Sequence, residues 1–199
     1  MTATMTEEEI TRLFSELQVL RRGHFKLSSG KHSDTYLQCA LALQDPQVAL
    51  RLGAALAARL QGSEIDVVVS PALGGVLAGF CVAAALQRPF LFTEREANRV
   101  MTLRRGQQLQ RGQRVVVVED VITTGGSAME VAALCEQAGA AVVALASLVD
   151  RSAGLAEADT LPLQPASLLR VTAQTWAADA CPACAAGTPL DAPGSRHAA

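Results

Sequence analysis

Apolar positions in this chain switch between a helical repeat and short β-branched runs, and that alternation predicts the architecture. Thr6 and Glu9 form a capping box. Behind them Ile10, Leu13, Phe14, Leu17 and Leu20 recur at helical spacing, predicting an amphipathic helix that ends near Arg21, Arg22 and Gly23. The stretch 24–39 reads as two short strands joined by a turn containing Gly30. Asp45 and Pro46 give a further helix an acidic N-cap and a first-turn proline. Leu50, Leu52, Ala54, Leu56, Ala57 and Leu60 form its broad apolar surface, and Gly62 ends it. Apolar runs at 65–69, 89–92, 115–118 and 141–149 have the length of strands. Helical patterns follow the first of these, to about Gln87, and the third, over 128–138. Runs this apolar suit strands buried on both faces, so the expected fold class is α/β, a central parallel sheet flanked by helices. Beyond Leu161 the pattern shortens around Pro162, Pro165 and 167–172.

The third apolar run carries the most chemistry. Val115 to Val118 lead directly into Glu119-Asp120-Val121-Ile122-Thr123-Thr124-Gly125-Gly126-Ser127. Two carboxylates are expected where the strand ends, followed by a hydroxyl-rich glycine turn into a helix that Ser127 and Glu130 would cap. Gly125 and Gly126 permit positive φ and close approach of backbone to a ligand, and a helix N-terminus behind such a turn is an anion site. A nucleotide P-loop would place a lysine after its glycines, and none is present. Ionised carboxylates repel phosphate but accept hydrogen bonds from vicinal sugar hydroxyls. The order of strand, acid pair and turn therefore suits a ribose phosphate.

Composition narrows the classes. Of 199 residues, 50% are hydrophobic and 18% charged, which fits a sheet covered on both sides. A formal net charge of −2 gives no argument for nucleic acid or an anionic membrane. No long uncharged apolar run predicts a membrane span, and the acidic start at Glu7, Glu8 and Glu9 lacks the order of a signal peptide, so a cytoplasmic location is expected. Among five cysteines, Cys39, Cys81 and Cys135 lie in apolar patterns. Cys181-Pro-Ala-Cys184 is a single pair without a second pair or histidines at ligand spacing, which argues against zinc, and no protein metal ligands are expected.

Three further segments carry candidate chemistry. Ser70 to Val76 forms a tight turn between strand and helix, with Gly74 and Gly75. The span 93–114 breaks the apolar pattern and holds Arg95, Arg99, Arg104, Arg105, Arg111 and Arg114 against Glu94 and Glu96, as a mobile lid for a phosphorylated substrate would. Asp150 and Arg151 sit at the C-terminal edge of the last long strand, where ligands of open α/β sheets collect.

The 115–127 stretch resembles the phosphoribosyl pyrophosphate signature of the type I phosphoribosyltransferases. Gly23 to Ser33 (Gly-x-Phe-x-Leu-x-Ser-Gly-x-x-Ser) resembles the N-terminal hood of the orotate phosphoribosyltransferase family. The likeness runs from about Gly23 to Leu190 and implies a single domain over 1–191: a hood from about 1–40 and 160–190, a core at about 45–155, a mobile loop at 93–112 and a disordered tail at 192–199. It implies that Glu119 and Asp120 hold the ribose hydroxyls, and that Val121, Ile122, Thr123, Thr124, Gly125, Gly126 and Ser127 hold the 5-phosphate. Phe25, Lys26 and the 28–33 turn would neighbour the base, with Thr123 and Arg151 touching orotate. Many relatives carry a cation where Ser28 stands, and Lys26 is a possible substitute. Arg95-Glu96-Ala97 resembles the core of the family's catalytic loop. Glu94, Asn98 and Val100 depart from its usual basic and histidine positions, which leaves Arg95, Arg99, Arg104 and Arg105 as alternatives for the leaving group.

The resemblance implies an orotate phosphoribosyltransferase activity of de novo pyrimidine synthesis. Phosphoribosyl pyrophosphate and orotate would be the substrates, Mg2+ would be held mainly by the donor, and the enzyme would be a homodimer. The alternatives are another nucleobase as acceptor, a purine above all, or a non-catalytic regulator on the same fold. The Gly23–Ser33 segment argues against the purine, and the lack of a basic recognition helix against the regulator.

Overall fold

The computed structural model describes residues 5–27, 29–96, 100–152, 161 and 163–193. Its sheet is built as the apolar runs predict. Strands β3 (Val67–Pro71), β4 (Phe90–Arg95), β6 (Arg114–Ile122), β7 (Ala141–Asp150) and β8 (Ala166–Arg170) are parallel to their neighbours, in the order β4-β3-β6-β7-β8, and β5 (Met101–Leu103) adds an antiparallel edge beside β4. Alternation along β6 separates two cores. Val116 and Val118 join Val68 and Leu148 under α1 (Glu7–Glu16), α3 (Pro46–Ala58) and α4 (Gly74–Leu86). Val115 and Val117 join Val67, Val69 and Leu145 under α5 (Gly126–Gln137). Central valines buried to 0–1% exposure confirm a strand covered on both faces.

A second, three-stranded antiparallel sheet joins the two ends of the chain. β1 (Leu20–Lys26) pairs with β2 (His32–Leu37), which pairs with the two-residue β9 (Thr175–Trp176). A short α2 (Ala40–Leu43) leads to α3, and α6 (Pro182–Ala185) lies near the C-terminus. This sheet is the small hood of N- and C-terminal segments.

Several local expectations need correction. The predicted capping box opens α1, but the helix stops at Glu16 rather than near Arg22. Gln18 takes a left-handed conformation (φ 56°), and the Val19 amide donates to the Phe14 carbonyl at 2.8 Å, a Schellman-type closure that frees Arg21 and Arg22 for β1. β6 does not end before its acids but runs through them to Ile122. The span 93–114 is not wholly irregular, since β4 reaches Arg95 and forms a hairpin with β5. Arg114 belongs to the opposite end of the sheet. Its guanidinium meets Asp66 at 2.7 and 2.9 Å and also pairs with Glu64, and this holds the Asp66 carboxyl well below its usual range.

Candidate active site

The site grows from a missing neighbour. β3 pairs with β6 only as far as Val117 and then turns away through Ser70 to Leu73, where the Ala72–Leu73 peptide is cis. Beyond Val117, β6 is flanked on that side by the start of α4. Strand alternation sends Asp120 with Val116 and Val118 toward α4, and Glu119 with Val115 and Val117 toward α5. The two glycines of the β3–α4 turn make room for this pair. A Cβ on Gly74 would lie 2.7–2.9 Å from the Asp120 carboxylate, and one on Gly75 would lie 3.0 Å from the Val118 carbonyl and 3.3 Å from Glu119 Oε2.

Glu119 is buried and Asp120 half-buried. Burial raises the Glu119 carboxyl to about 8, the Asp120 charge adds to the rise, and Arg95 opposes it. Burial also raises Asp120, against hydrogen bonds from the amides of Val121 and of Asp120 itself. Such a pair is poorly satisfied alone and well served by a ligand that donates hydroxyls or carries positive charge.

The turn behind them is arranged for an anion. Gly125 caps α5 with φ 78° and packs so close to Leu161 that a Cβ would fall 2.3 Å from its side chain. α5 therefore starts at Gly126, and its first amides have no partner within the helix. Thr123, Thr124 and Gly126 are exposed around it and Ser127 is half-buried, while Val121 and Ile122 remain in the sheet, paired with Val149 and Asp150. The expected Ser127–Glu130 capping box does not form, because the left-handed glycine takes the N-cap position. Glu130 instead receives Arg95, whose two terminal nitrogens lie 2.6 and 3.0 Å from its oxygens.

The other expected residues are distributed unevenly. Arg151 lies at the C-terminal edge of β7 with its amide on the Ile122 carbonyl at 2.8 Å; burial lowers its pKa and Asp34 on β2 raises it. Asp150 is not its partner. That carboxylate accepts from the Ser152 amide and hydroxyl at 2.9 and 2.6 Å and faces Arg170 at 3.5 Å. Phe25 is buried inside the hood, 5.6 Å from the Tyr36 ring and under the Arg21 guanidinium, so it shapes the hairpin rather than presenting a face outward. Lys26 is half-buried at the end of β1, opposite His32. Arg104 is exposed in the turn after β5, whereas Arg105 forks onto Glu94 at 2.9 and 2.9 Å. Arg99 with its neighbours Ala97 and Asn98, Ser28 of the 28–33 turn, and most of the 192–199 tail lie outside the described residues.

Comparison with known proteins places this geometry. A family model for the phosphoribosyl transferase domain matches residues 41–181. The chain is 44% identical over 192 residues to the orotate phosphoribosyltransferase of Caldanaerobacter subterraneus, covering 96% of this chain and 99% of that one. It is 48% identical over 195 residues to that of Acidithiobacillus ferrooxidans, covering 96% and 98%. The chain belongs to the orotate phosphoribosyltransferase family. The crystal structure of Mycobacterium tuberculosis orotate phosphoribosyltransferase with inorganic phosphate superposes with a TM-score of 0.66 at 28% identity, covering 82% of this chain and 95% of that one. Among the described residues no helix is long and apolar enough to cross a membrane.

Within the orotate phosphoribosyltransferase frame, three features were invisible to local sequence patterns. Glu130 pairs with Arg95, and Asp34 of the hood lies close enough to Arg151 for its charge to raise the guanidinium's pKa. The argument against zinc also loses its premise. Histidines are absent at ligand spacing near Cys181 and Cys184 in sequence, but the fold brings His24 and His32 to them.

Proposed function

We propose that this chain transfers the 5-phosphoribosyl group of phosphoribosyl pyrophosphate to orotate, giving orotidine 5′-phosphate and pyrophosphate. The observation that carries this reading is the acid pair, buried Glu119 and half-buried Asp120, set directly before the glycine turn that opens α5, in a chain near-collinear with orotate phosphoribosyltransferases. The anomeric carbon loses its bond to pyrophosphate oxygen as it gains one to the base nitrogen, through a state with oxocarbenium character. Glu119 and Asp120 accept from the ribose hydroxyls and stabilise the positive sugar. The turn 123–127, set by Val121 and Ile122 at the end of β6, anchors the 5-phosphate, restraining the reacting carbon several bonds away. Arg95, with Arg99 or Arg104, meets the leaving pyrophosphate, and Arg151, Thr123 and Lys26 face orotate.

Magnesium fits the residues present. The Ser70–Gly75 turn beside the acids holds no lysine or arginine, and the acids offer hard oxygen donors whose ionisation a cation would favour. Held mainly by the donor, the ion would supply charge neutralisation for the departing group. A homodimer is supported by Leu73, Leu77 and Phe80. They line one face at the start of α4, next to the acids, at 85%, 51% and 56% exposure, and a second copy would cover that face.

The test is an absorbance assay with the purified chain, donor and Mg2+, offering orotate, uracil, hypoxanthine and adenine separately. Turnover of orotate alone is expected, and turnover of a purine alone would overturn the reading.

A further inference from the structure

His24 on β1, His32 on β2, and Cys181 and Cys184 around the start of α6 bring one ligand atom each within 4.8 Å of one another. His24 Nε2 lies 3.0 Å from His32 Nδ1, 3.4 Å from Cys181 Sγ and 3.6 Å from Cys184 Sγ, and Cys184 Sγ lies 3.3 Å from His32 Nδ1. Tetrahedral zinc with two nitrogen and two sulfur ligands has edges of about 3.3 Å between nitrogens and about 3.6 Å between nitrogen and sulfur, from the usual bond lengths. These four of the six separations lie within about 0.3 Å of such edges, and the remaining two, from Cys181 to Cys184 and to His32, within 4.8 Å.

The tautomer of His24 points the same way. Its Nδ1 lies 2.9 Å from the Thr188 carbonyl, which can only accept, so Nδ1 carries the proton and Nε2 turns a bare lone pair to the cluster. Three heavy atoms converge on that single lone pair, and it cannot serve three in-line hydrogen bonds. One cation at the centre satisfies all four groups. The outer hydrogen bond from the imidazole to a carbonyl is the usual orienting contact of a metal-bound histidine. His24, His32 and Cys181 are buried to 3–5% exposure, and two thiolates would neutralise a divalent ion there.

The location supplies a reason. Neither hydrophobic core includes a described residue beyond Val171. The contacts that hold the C-terminal segment are largely polar: the two-residue β9, bonds of Gln174 with Ser33 and Asp34, the His24–Thr188 contact, backbone bonds of Asp191 with His24 and Lys26 at 2.9 and 2.8 Å, and an Arg21–Asp191 ion pair. A cross-link is what so little apolar burial requires. We propose that His24, His32, Cys181 and Cys184 bind a structural zinc ion that fastens the C-terminal segment to the hood hairpin. Binding replaces one proton on each thiol and leaves every sulfur reduced.

The test is elemental analysis of the untagged full-length chain, purified without chelator, beside Cys181→Ser and Cys184→Ser. The expected result is about one zinc per wild-type chain and at least a tenfold loss of bound metal in each variant, since the ligand set is completed by the thiolates. Cobalt exchanged into the wild type should show the visible bands of a tetrahedral thiolate site, a readout that does not depend on the variants folding. A wild-type chain that is metal-free and takes up neither Zn2+ nor Co2+ would overturn the proposal. So would a Cys181–Cys184 disulfide in the freshly isolated protein, or full zinc retention in both variants.

Discussion

Arg95 grips Glu130 with both terminal nitrogens, at 2.6 and 3.0 Å, and so ties the end of β4 to the second turn of α5, behind the 123–127 turn. Both side chains are about two-fifths exposed, where such a pair is worth on the order of 0.5 kcal/mol. A pyrophosphate oxygen pair offers the same forked geometry with more charge, so substrate can displace Glu130 at little expense. Arg95→Ala is expected to lower kcat/KM by about 100-fold through loss of leaving-group stabilisation. Glu130→Gln, which removes the resting partner but leaves the guanidinium, should change kcat by less than about threefold and lower KM for the donor. Steady-state kinetics on both variants separates the roles, and equal losses would show that the pair itself is what catalysis needs.

Glu119 makes the free protein sensitive to pH in a defined direction. Its carboxyl is raised from an ordinary 4.5 to about 8, so between those values the folded state holds a proton that the unfolded state has released. Stability attributable to this group must therefore fall as pH rises through that window, by on the order of 5 kcal/mol in all. Glu119→Gln should flatten the decline, seen as a smaller drop in thermal midpoint from pH 6 to pH 9. Ribose hydroxyls donate to the ionised form, so ribose 5-phosphate binding near pH 7 should release a proton. Calorimetry in two buffers of different ionisation enthalpy measures this, and binding without proton exchange would remove Glu119 from the ribose contact.

The parts legible in the sequence were those written in consecutive residues. Val115 to Val118 announce a buried strand because β-branched side chains fill both of its faces, and Asp45 announces a helix start because its carboxylate reaches the Gln47 and Val48 amides. Termini decided by a single dihedral were not legible. Gln18 ends α1 in a conformation usually left to glycine, and Gly125 displaces Ser127 from the cap it was expected to fill. The meeting of His24 with Cys181 depends on which strands pair across the hood, and no local periodicity encodes that. The acids lie between these cases. Their place in the chain was readable, but that they sit within β6, against Gly74, follows only from where β3 turns away.

The apolar face at Leu73, Leu77 and Phe80 gives the dimer a direct test. Phe80 is 56% exposed yet edge-on to Phe90 at 6.1 Å, so its outer surface can be changed without opening the core. Phe80→Glu should convert a two-chain species into monomers in light-scattering chromatography while shifting the thermal midpoint only modestly. Charge placed in the centre of an apolar contact costs on the order of 2 kcal/mol or more per site, enough to raise the dimer dissociation constant by well over tenfold. A wild-type chain that runs as a monomer would dismiss the interface.

Gly74 and Gly53 are both closely packed, but for different ends, and alanine should distinguish them. At Gly53 an added methyl would lie 2.5–2.8 Å from Cys81 Cβ and backbone, atoms inside the α3–α4 contact that cannot swing aside. Gly53→Ala is expected to destabilise by about 2–3 kcal/mol, read by denaturant titration, as overpacking does in a filled interior. At Gly74 the atoms nearest the methyl would be those of the Asp120 carboxylate, which can rotate away. Gly74→Ala should therefore leave stability within about 1 kcal/mol. Because it displaces the carboxylate proposed to accept from the ribose, it should lower kcat/KM by about 100-fold. Asp120→Asn should match that loss, and the double variant should fall little further, because both substitutions disable one contact. Additive losses would mean that Gly74 serves the turn in its own right, and not through the acid it shelters.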